Sequence, residues 1–374
     1  MPDMSWVEAG TNRSARWISV HQTRPPSRVT VVDDQLRATT AYALVRRGKA
    51  LLWRGDFHNA RQLQNALARR IDRTNRTPPS DVSAAELFHA YRRERRRRAR
   101  LLNLLLVPLD GDHSVPLRRA PEVRQACAEV YGPPKGPAVL PLRELLGVIG
   151  AYEWRRTGIR VPALGGRIHP HHGVFSPVRG EYVDLVARAP LPGRALAFDI
   201  GTGTGVLAGV LARRGVARII ATDMNPAALS CATDNLARLG YADRAEVVRA
   251  DLFPSGRASL VVCNPPWIPA TPSTPLDQAV YDPEGRMLRG FLHGLAEHLE
   301  PGGEGWLVLS DLAEHLRLRS RAKFLATVQH AGLTVVGTLD TRPAHRRIRP
   351  VNDPLGAARA AEVITLWRLA ALRE

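Results

Sequence analysis

The sequence predicts an α/β protein whose C-terminal half is a mostly parallel sheet with helices on both faces, behind an N-terminal mainly helical domain. Three observations predict it. From Glu181 onward, apolar strand-length runs alternate regularly with helix-length segments. The first of these strands runs straight into a glycine-rich turn and a helix, FDIGTGTGVLA (198–208). The last two strand-like runs, LTVVGTLDT and AEVITLWRLA, have no helix of strong periodicity between them, so the final strand is expected to be antiparallel.

Taken in order, the first 30 or so residues read as loosely structured. From about Asp34 to Arg73, Leu44, Leu51, Leu52, Leu63, Leu67 and Ile71 recur near helical spacing with arginines between them. TNRTPPSD (74–81) breaks the pattern, and Ser80, Asp81 and Ser83 are candidate N-caps for the next helix, AAELFHAYRRERRRRARLLNLLLVPL. A short helix is expected over Pro121–Tyr131, and another in PLRELLGVIGAYEWRRTG. Residues 160–180 read as short strands and turns, a hairpin leading into the second domain. The expected domains are therefore 1–155, mainly helical and concerned with substrate recognition; 156–185, a linker or hairpin; and 186–374, catalytic. Within the last, the strands are ALAFDI, ARIIATD, AEVVRAD, SLVVCN and GWLVLS, followed by the closing pair. Helices are expected in VLAGVLARRG, NPAALSCATDNLARLG, YDPEGRMLRGFLHGLAEHLEPGG and LAEHLRLRSRAKFLATVQHAG.

Bulk properties narrow the class. With 374 residues and 44% hydrophobic content, two packed domains are affordable. No apolar run approaches the ~18–20 residues of a membrane span, and MPDMSWVEAG lacks the features of a secretory signal. Cys127, Cys231 and Cys263 are widely separated and lack metal-ligand spacing, so a reduced, cytoplasmic protein is expected. The net charge of +18 points to a polyanionic partner. It is carried almost wholly by arginine, since Lys49, Lys135 and Lys323 are the only lysines. Genomic base composition explains arginine over lysine, but not the shortage of carboxylates.

The glycine turn is the first chemical signal. Gly201, Gly203 and Gly205 alternate after a strand ending at Asp199, and glycine lets backbone approach a ligand closely. The spacing is not G-x-G-x-x-G, since Val206 stands where the last glycine would be. Taken alone, a tight turn without a ligand is a serious alternative. Asp223 closes the second strand, where a carboxylate can accept hydrogen bonds from both ribose hydroxyls of an adenosine group. Asp251 ends the third strand in RADLF, within reach of an exocyclic amine of adenine. Three such features at successive strand ends mark the crevice where open α/β sheets bind ligands.

The second signal is VVCNPPW (261–267). Two prolines fix an extended turn after a strand. There the Asn264 side-chain carbonyl and the Pro265 backbone carbonyl can together accept both hydrogens of one NH2 group. Trp267 offers a flat face for a planar amide or nucleobase. A proline-rich turn without function is the bland alternative.

FDIGTGTGVLA, ATDMNPAAL, RADLF and CNPPW, in this order and spacing, resemble class I S-adenosylmethionine-dependent methyltransferases, from about Gly173 to the C-terminus. The resemblance implies a Rossmann-like, seven-stranded sheet with an antiparallel last strand, and S-adenosyl-L-methionine as cofactor. It implies that Asp199, Gly201, Gly203 and Gly205 line the methionine end, that Asp223 binds the ribose and Asp251 contacts adenine, and that Thr202, Met224, Leu252 and Asn264 also belong to the cofactor site. Asn264 would stand between cofactor and acceptor, with Pro265 and Trp267 completing the catalytic turn. CNPPW resembles the NPPY-type motif of N-methyltransferases. GVFSPVRGEYVDLV (173–186) is similar to the segment before the cofactor loop in release-factor glutamine N5-methyltransferases, which makes Phe175, Pro177, Arg179 and Trp267 substrate-binding candidates. Here Trp267 replaces the usual tyrosine, and Arg179 does not directly follow Pro177.

The expected activity is methyl transfer to a planar NH2 nitrogen, directly and in line, without metal or covalent intermediate. A protein glutamine or similar amide comes first as acceptor, possible targets being a ribosomal protein or translation factor. An RNA or DNA base amine is the alternative, a small natural-product amine another, and a non-catalytic binding protein that keeps the fold a further one. His169, His171 and His172 lack companions for a metal site and read as a polar loop. The run Arg92–Arg100 reads either as a phosphate-binding face or as a solvated one. AHRRIRPVNDP (344–354) reads as a substrate-facing basic loop or a surface insertion. Asp282 and Glu284 in YDPEG resemble a loop of the glutamine methyltransferases, or else cap a helix.

Overall fold

The computed structural model describes residues 2–20, 22–74, 82–178, 180–272, 276–343 and 353–372. The chain divides into two compact units, Met1–Val82 with His89–Glu153, and Ser83–Phe88 with Trp154–Glu374.

The first unit is built on a sheet that the sequence pattern does not announce. Its elements are β1 (Asp3–Glu8), β2 (Thr11–Trp17), β3 (Val29–Val32), α1 (Ala38–Arg46), β4 (Ala50–Trp53), α2 (Phe57–Arg73), α3 (Ala84–Leu102, whose residues 84–88 fall in the second unit), β5 (Leu105–Leu109), α4 (Arg124–Tyr131), β6 (Ala138–Pro141) and α5 (Leu142–Thr157, whose residues 154–157 fall in the second unit). The strands form one six-stranded mixed sheet in the order β1-β2-β6-β5-β4-β3. The expectation of a mainly helical domain is corrected in three places. Residues 3–17 form an antiparallel hairpin, not loose chain. Leu51 and Leu52, counted above toward a helical period, lie in β4. Leu105 and Leu106, read as the apolar end of the arginine-rich helix, open β5. The cause is common to β4, β5 and β6: each is four or five residues long and buried throughout. Strands buried on both faces show no alternation, and short apolar runs beside helices are absorbed into the helical period.

α3 starts on a capping box. Ser83 Oγ accepts from the Glu86 amide at 3.3 Å, while Glu86 Oε2 accepts from the Ser83 amide at 3.0 Å. Ser80 and Asp81, the other candidate caps, lie outside the described residues.

The second unit opens with the expected hairpin, β7 (Ile159–Val161) against β8 (Gly166–Ile168). Then follow α6 (Glu181–Arg188), β9 (Leu196–Ile200), α7 (Val206–Arg213), β10 (Arg218–Asp223), α8 (Pro226–Arg238), β11 (Ala245–Arg249), β12 (Ala258–Cys263), α9 (Arg286–Leu295), β13 (Leu299–Ser310), α10 (Leu312–His315), α11 (Arg321–His330), β14 (Leu333–Thr341), α12 (Gly356–Ala361) and β15 (Ile364–Ala371). The seven strands run in the order β11-β10-β9-β12-β13-β15-β14. The first five pair in parallel, and β15 runs antiparallel between β13 and β14.

Apolar residues alternate across this sheet into two cores. Ala197, Leu260 and Val262 face α6 and α7, whereas Phe198, Val261 and Cys263 face α9 and α11. The helix expected over Leu312–Gly332 is broken, because Arg317 takes a positive φ of 57° and Ser320 caps a new helix by accepting from the Lys323 amide at 3.2 Å. β13 begins at Leu299, before the glycines expected to close the preceding helix.

The order β11-β10-β9-β12 fixes where the chemistry goes. The chain builds outward from β9 to β11, then returns to place β12 on the other side of β9. Such a reversal opens a crevice at the carboxyl ends of the two central strands.

Candidate functional site

The register of the central strands gathers the predicted site. Ile200 pairs with Thr222 of β10 on one side and with Cys263 of β12 on the other. Gly201, Asp223 and Asn264 are the next residues along the chain from these three, so they stand level in one row. Neighbouring strands lie ~4.8 Å apart, which makes the three near neighbours at the lip of the crevice.

The glycine turn is held from below. Asp199 is 1% exposed, and its Oδ2 accepts from Thr202 Oγ1 at 2.7 Å and from the Ala208 amide at 3.0 Å. Its carboxyl is pushed up to about 6, chiefly by burial and further by the Asp223 charge, against the pull of those two hydrogen bonds. Thr202 is likewise buried, with its amide on Thr222 O at 2.9 Å. Asp199 and Thr202 therefore brace the turn from inside.

The upper side of the turn is open. Gly203 has φ of 56°, and a Cβ placed on it would meet nothing within 4 Å. Its amide donates to Asp223 Oδ2 at 3.1 Å, and Asp223 Oδ1 accepts from the Asn225 amide at 2.9 Å. Gly205 differs: a Cβ there would lie 3.1 Å from Ala232 Cα, so this glycine serves the packing of α7 on α8. Open space above a backbone cradle, with a carboxylate level with it, suits the amino-acid and ribose parts of S-adenosylmethionine.

The remaining cofactor candidates form the rim. Met224 is 48% exposed beside Asp223. Asp251 lies two residues past β11, exposed, with Arg286 Nη2 at 3.1 Å from its Oδ2. Leu252 adopts a left-handed backbone, φ 75°, with its carbonyl held by Thr222 Oγ1 at 2.6 Å. Sequence reasoning missed Thr222, which looks like any apolar-strand threonine. It also missed Met287, whose Cε would lie only 2.5 Å from a Cβ on Gly201 and so occupies the space a side chain there would need.

At the acceptor turn, Asn264 is half-buried and Pro265 buried. Trp267 Nε1 donates to Asn264 Oδ1 at 2.9 Å. The Trp267 ring packs half-buried against both cores, so it is a wall of the turn more than a free stacking platform. Arg319, which carried no signal in the sequence, donates to Trp267 O at 3.4 Å and to Ser310 O at 3.1 Å. The turn is strapped to the YDPEG segment by a bridge between Ile268 and Tyr281 and by the Asp282 amide on Ile268 O at 2.9 Å. Asp282 itself accepts from the Met287 and Leu288 amides at 3.0 and 3.1 Å and is a helix cap. Glu284 is exposed. Beside the turn lies a pocket of about 140 Å³ floored by Leu288, Leu292 and Phe324 and edged by Arg289, Arg319 and Lys323.

Of the upstream candidates, Phe175 is 38% exposed and Pro177 buried, while Arg179 lies outside the described residues. Val174 packs this segment on α8 through Ala228 and Cys231. Among the described residues no hydrogen bond ties Phe175 or Pro177 to Asn264. The histidines also brace α8: His171 Nε2 lies 2.9 Å from Asp234 Oδ2, and the His169 amide donates to Asn235 Oδ1 at 2.8 Å. Among the described residues no group of three His, Cys, Asp or Glu side chains is placed to hold a metal ion. No described helix is long and apolar enough to cross a membrane. Residues 344–352 of the basic insertion lie outside the described residues.

Residues 166–331 match the methyltransferase small domain family. A release factor glutamine methyltransferase of Cereibacter sphaeroides is 39% identical over 130 residues, 34% of this chain and 43% of that protein. A tRNA1(Val) (adenine(37)-N6)-methyltransferase of Bacteroides thetaiotaomicron is 33% identical over 141 residues, 36% of this chain and 60% of that one. The aligned region thus spans less than two thirds of either relative. Among solved structures, an S-adenosylmethionine-dependent methyltransferase from Thiobacillus denitrificans in complex with S-adenosyl-L-homocysteine is 17% identical, with a TM-score of 0.35 over 53% of this chain and 92% of that one. By its strand order, its glycine turn and the family match over residues 166–331, the second unit is a class I S-adenosylmethionine-dependent methyltransferase domain.

Proposed function

We propose that this chain is an N-methyltransferase acting on a planar NH2 nitrogen, the side-chain amide of a glutamine or similar residue in a protein being the acceptor. The observation that carries the reading is the row formed by Gly201, Asp223 and Asn264, level at the ends of β9, β10 and β12. S-adenosylmethionine, when bound, supplies an electrophilic methyl group on a sulfonium. Gly203 and Asp223 would hold it by backbone approach and ribose hydrogen bonds. Asn264 Oδ1 and the Pro265 carbonyl would accept the two N–H hydrogens of the acceptor, aiming its lone pair along the crevice. As positive charge develops on the nitrogen, the same two oxygens stabilise it, and one proton then leaves to water. An amide nitrogen is a poor base, so positioning and this hydrogen bonding carry the rate.

The glutamine reading draws support from the release-factor relatives and from GVFSPVRGEY. A base amine is a second reading, favoured by one observation: Arg93, Arg95, Arg96 and Arg100 of α3 are exposed. Tritiated methyl transfer into extract from cells lacking the gene separates the two. Label that survives nuclease and is lost to protease supports the protein acceptor; label lost to nuclease replaces it with the base. Transfer to neither fraction, with no S-adenosylmethionine binding, overturns both.

A further inference from the structure

Trp267 and Asn264 form a contact whose chemistry is one-sided. An indole N–H can only donate, and the two ends of an asparagine amide differ: Oδ1 only accepts and Nδ2 only donates. With Nε1 placed 2.9 Å from Asn264 Oδ1, the indole is compatible with one of the two flip states of the amide. The flipped state would set two donors face to face. Oδ1 has a second lone pair, which stays available for an incoming N–H.

The indole is itself immobilised. Its ring is wedged between the two cores of the sheet. Its backbone carbonyl is held by Arg319, whose other terminal nitrogen is on Ser310 O. The following residue, Ile268, is bridged to Tyr281. The donor is thus fixed in space before any acceptor arrives, and Asn264 is the group that must conform.

We propose that Trp267 is a positioning residue that locks the Asn264 amide with its oxygen facing the acceptor nitrogen. This rests on the proposed N-methyl transfer at Asn264 for its purpose, but the contact itself does not. A free amide would spend part of its time presenting NH2 to the acceptor's NH2, a repulsive and unproductive arrangement. A phenylalanine at position 267 would keep the aromatic wall and lose the lock.

The contact is tested first without any acceptor. In the 15N-labelled full chain, the Trp267 indole N–H resonance is assigned by its absence in Trp267→Phe. The lock requires that it move in Asn264→Ala and shift downfield in Asn264→Asp, whose carboxylate is a stronger acceptor. An indole resonance unmoved by both substitutions overturns the proposal. The function of the contact is read from methyl transfer to the extract fraction labelled by the native protein. One hydrogen bond of ordinary net strength corresponds to a roughly threefold to tenfold slower turnover in Trp267→Phe, with the KM for S-adenosylmethionine within about twofold. In an Asn264→Asp background, where both ends of the side chain accept and no flip state needs selecting, Trp267→Phe is expected to change turnover by less than about twofold. An equal loss in both backgrounds would mean that the ring acts structurally and would overturn the lock. Absence of transfer by the native chain, with the indole resonance responding as stated, would count against the proposed activity and leave the contact standing.

Discussion

Gly203 and Gly205 are two residues apart, share a left-handed backbone, and are expected to fail in opposite ways when replaced by alanine. At Gly203 the new methyl meets no protein atom within 4 Å. Its stability cost is the left-handed backbone alone, about 1–2 kcal/mol. That methyl, however, stands in the open space above the cradle, where one extra methyl group in a fitted site costs roughly 10- to 200-fold in affinity. At Gly205 the methyl would sit 3.1 Å from Ala232 Cα and 3.3 Å from Ala232 O. Overpacking adds about 1–3 kcal/mol to the same backbone cost. Gly205→Ala should therefore be the less stable variant, and Gly203→Ala the poorer binder per unit of stability lost. Urea unfolding and calorimetric titration with S-adenosylmethionine read the two effects separately. Native affinity in Gly203→Ala would refute the assignment of the crevice above that residue.

Other outcomes follow from the same geometry. Asp223→Ala removes the acceptor of both the Gly203 and Asn225 amides; charge-assisted bonds of this kind correspond to an S-adenosylmethionine affinity roughly 10- to 100-fold weaker, and an unchanged titration would remove Asp223 from the site. Asp199 stands above its ordinary value in the folded chain, at about 6, so its contribution to stability is complete below about pH 4 and lost as pH rises through about 6. Asp199→Asn should accordingly gain on the native protein by an amount on the order of 3 kcal/mol between about pH 4 and 8; a stability difference that does not vary with pH would mean the carboxyl ionises normally. If the exposed arginines of α3 grip a polyanion, charge reversal at Arg93 and Arg100 should flatten the salt dependence of tRNA binding measured by filter retention; an unaltered slope would make that face merely solvated.

The second unit was legible because its strands are long enough to show a period and because its chemistry sits where strands end. Asp199, Asp223 and Asn264 could be placed from sequence since each closes or follows an apolar run bounded by a turn. The antiparallel β15 was foreseen from the missing helix, although a six-residue helix, α12, does stand before it. What the sequence hid depends on three-dimensional neighbours. The Arg319 bond to the Trp267 carbonyl spans 52 residues, and the Thr222 hold on Leu252 spans 30. Neither leaves a local pattern. Asp251 illustrates the opposite error: it was placed at a strand end, but the strand stops at Arg249, and Asp251 meets Arg286 across 35 residues. Three strands of the first unit's sheet were hidden because ALLW, LLVPL and AVLP are too short and too uniformly apolar to carry a period of two.

The decisive measurement is made on Asn264→Ala, with S-adenosylmethionine affinity by calorimetry and methyl transfer by tritium counting on one preparation. If Asn264 positions the acceptor nitrogen, affinity stays within about twofold of native while transfer falls by about 100-fold or more, the scale of removing a preorganised hydrogen-bonding group from a reacting centre. Transfer within about tenfold of native, or affinity and transfer lost together, would contradict that role.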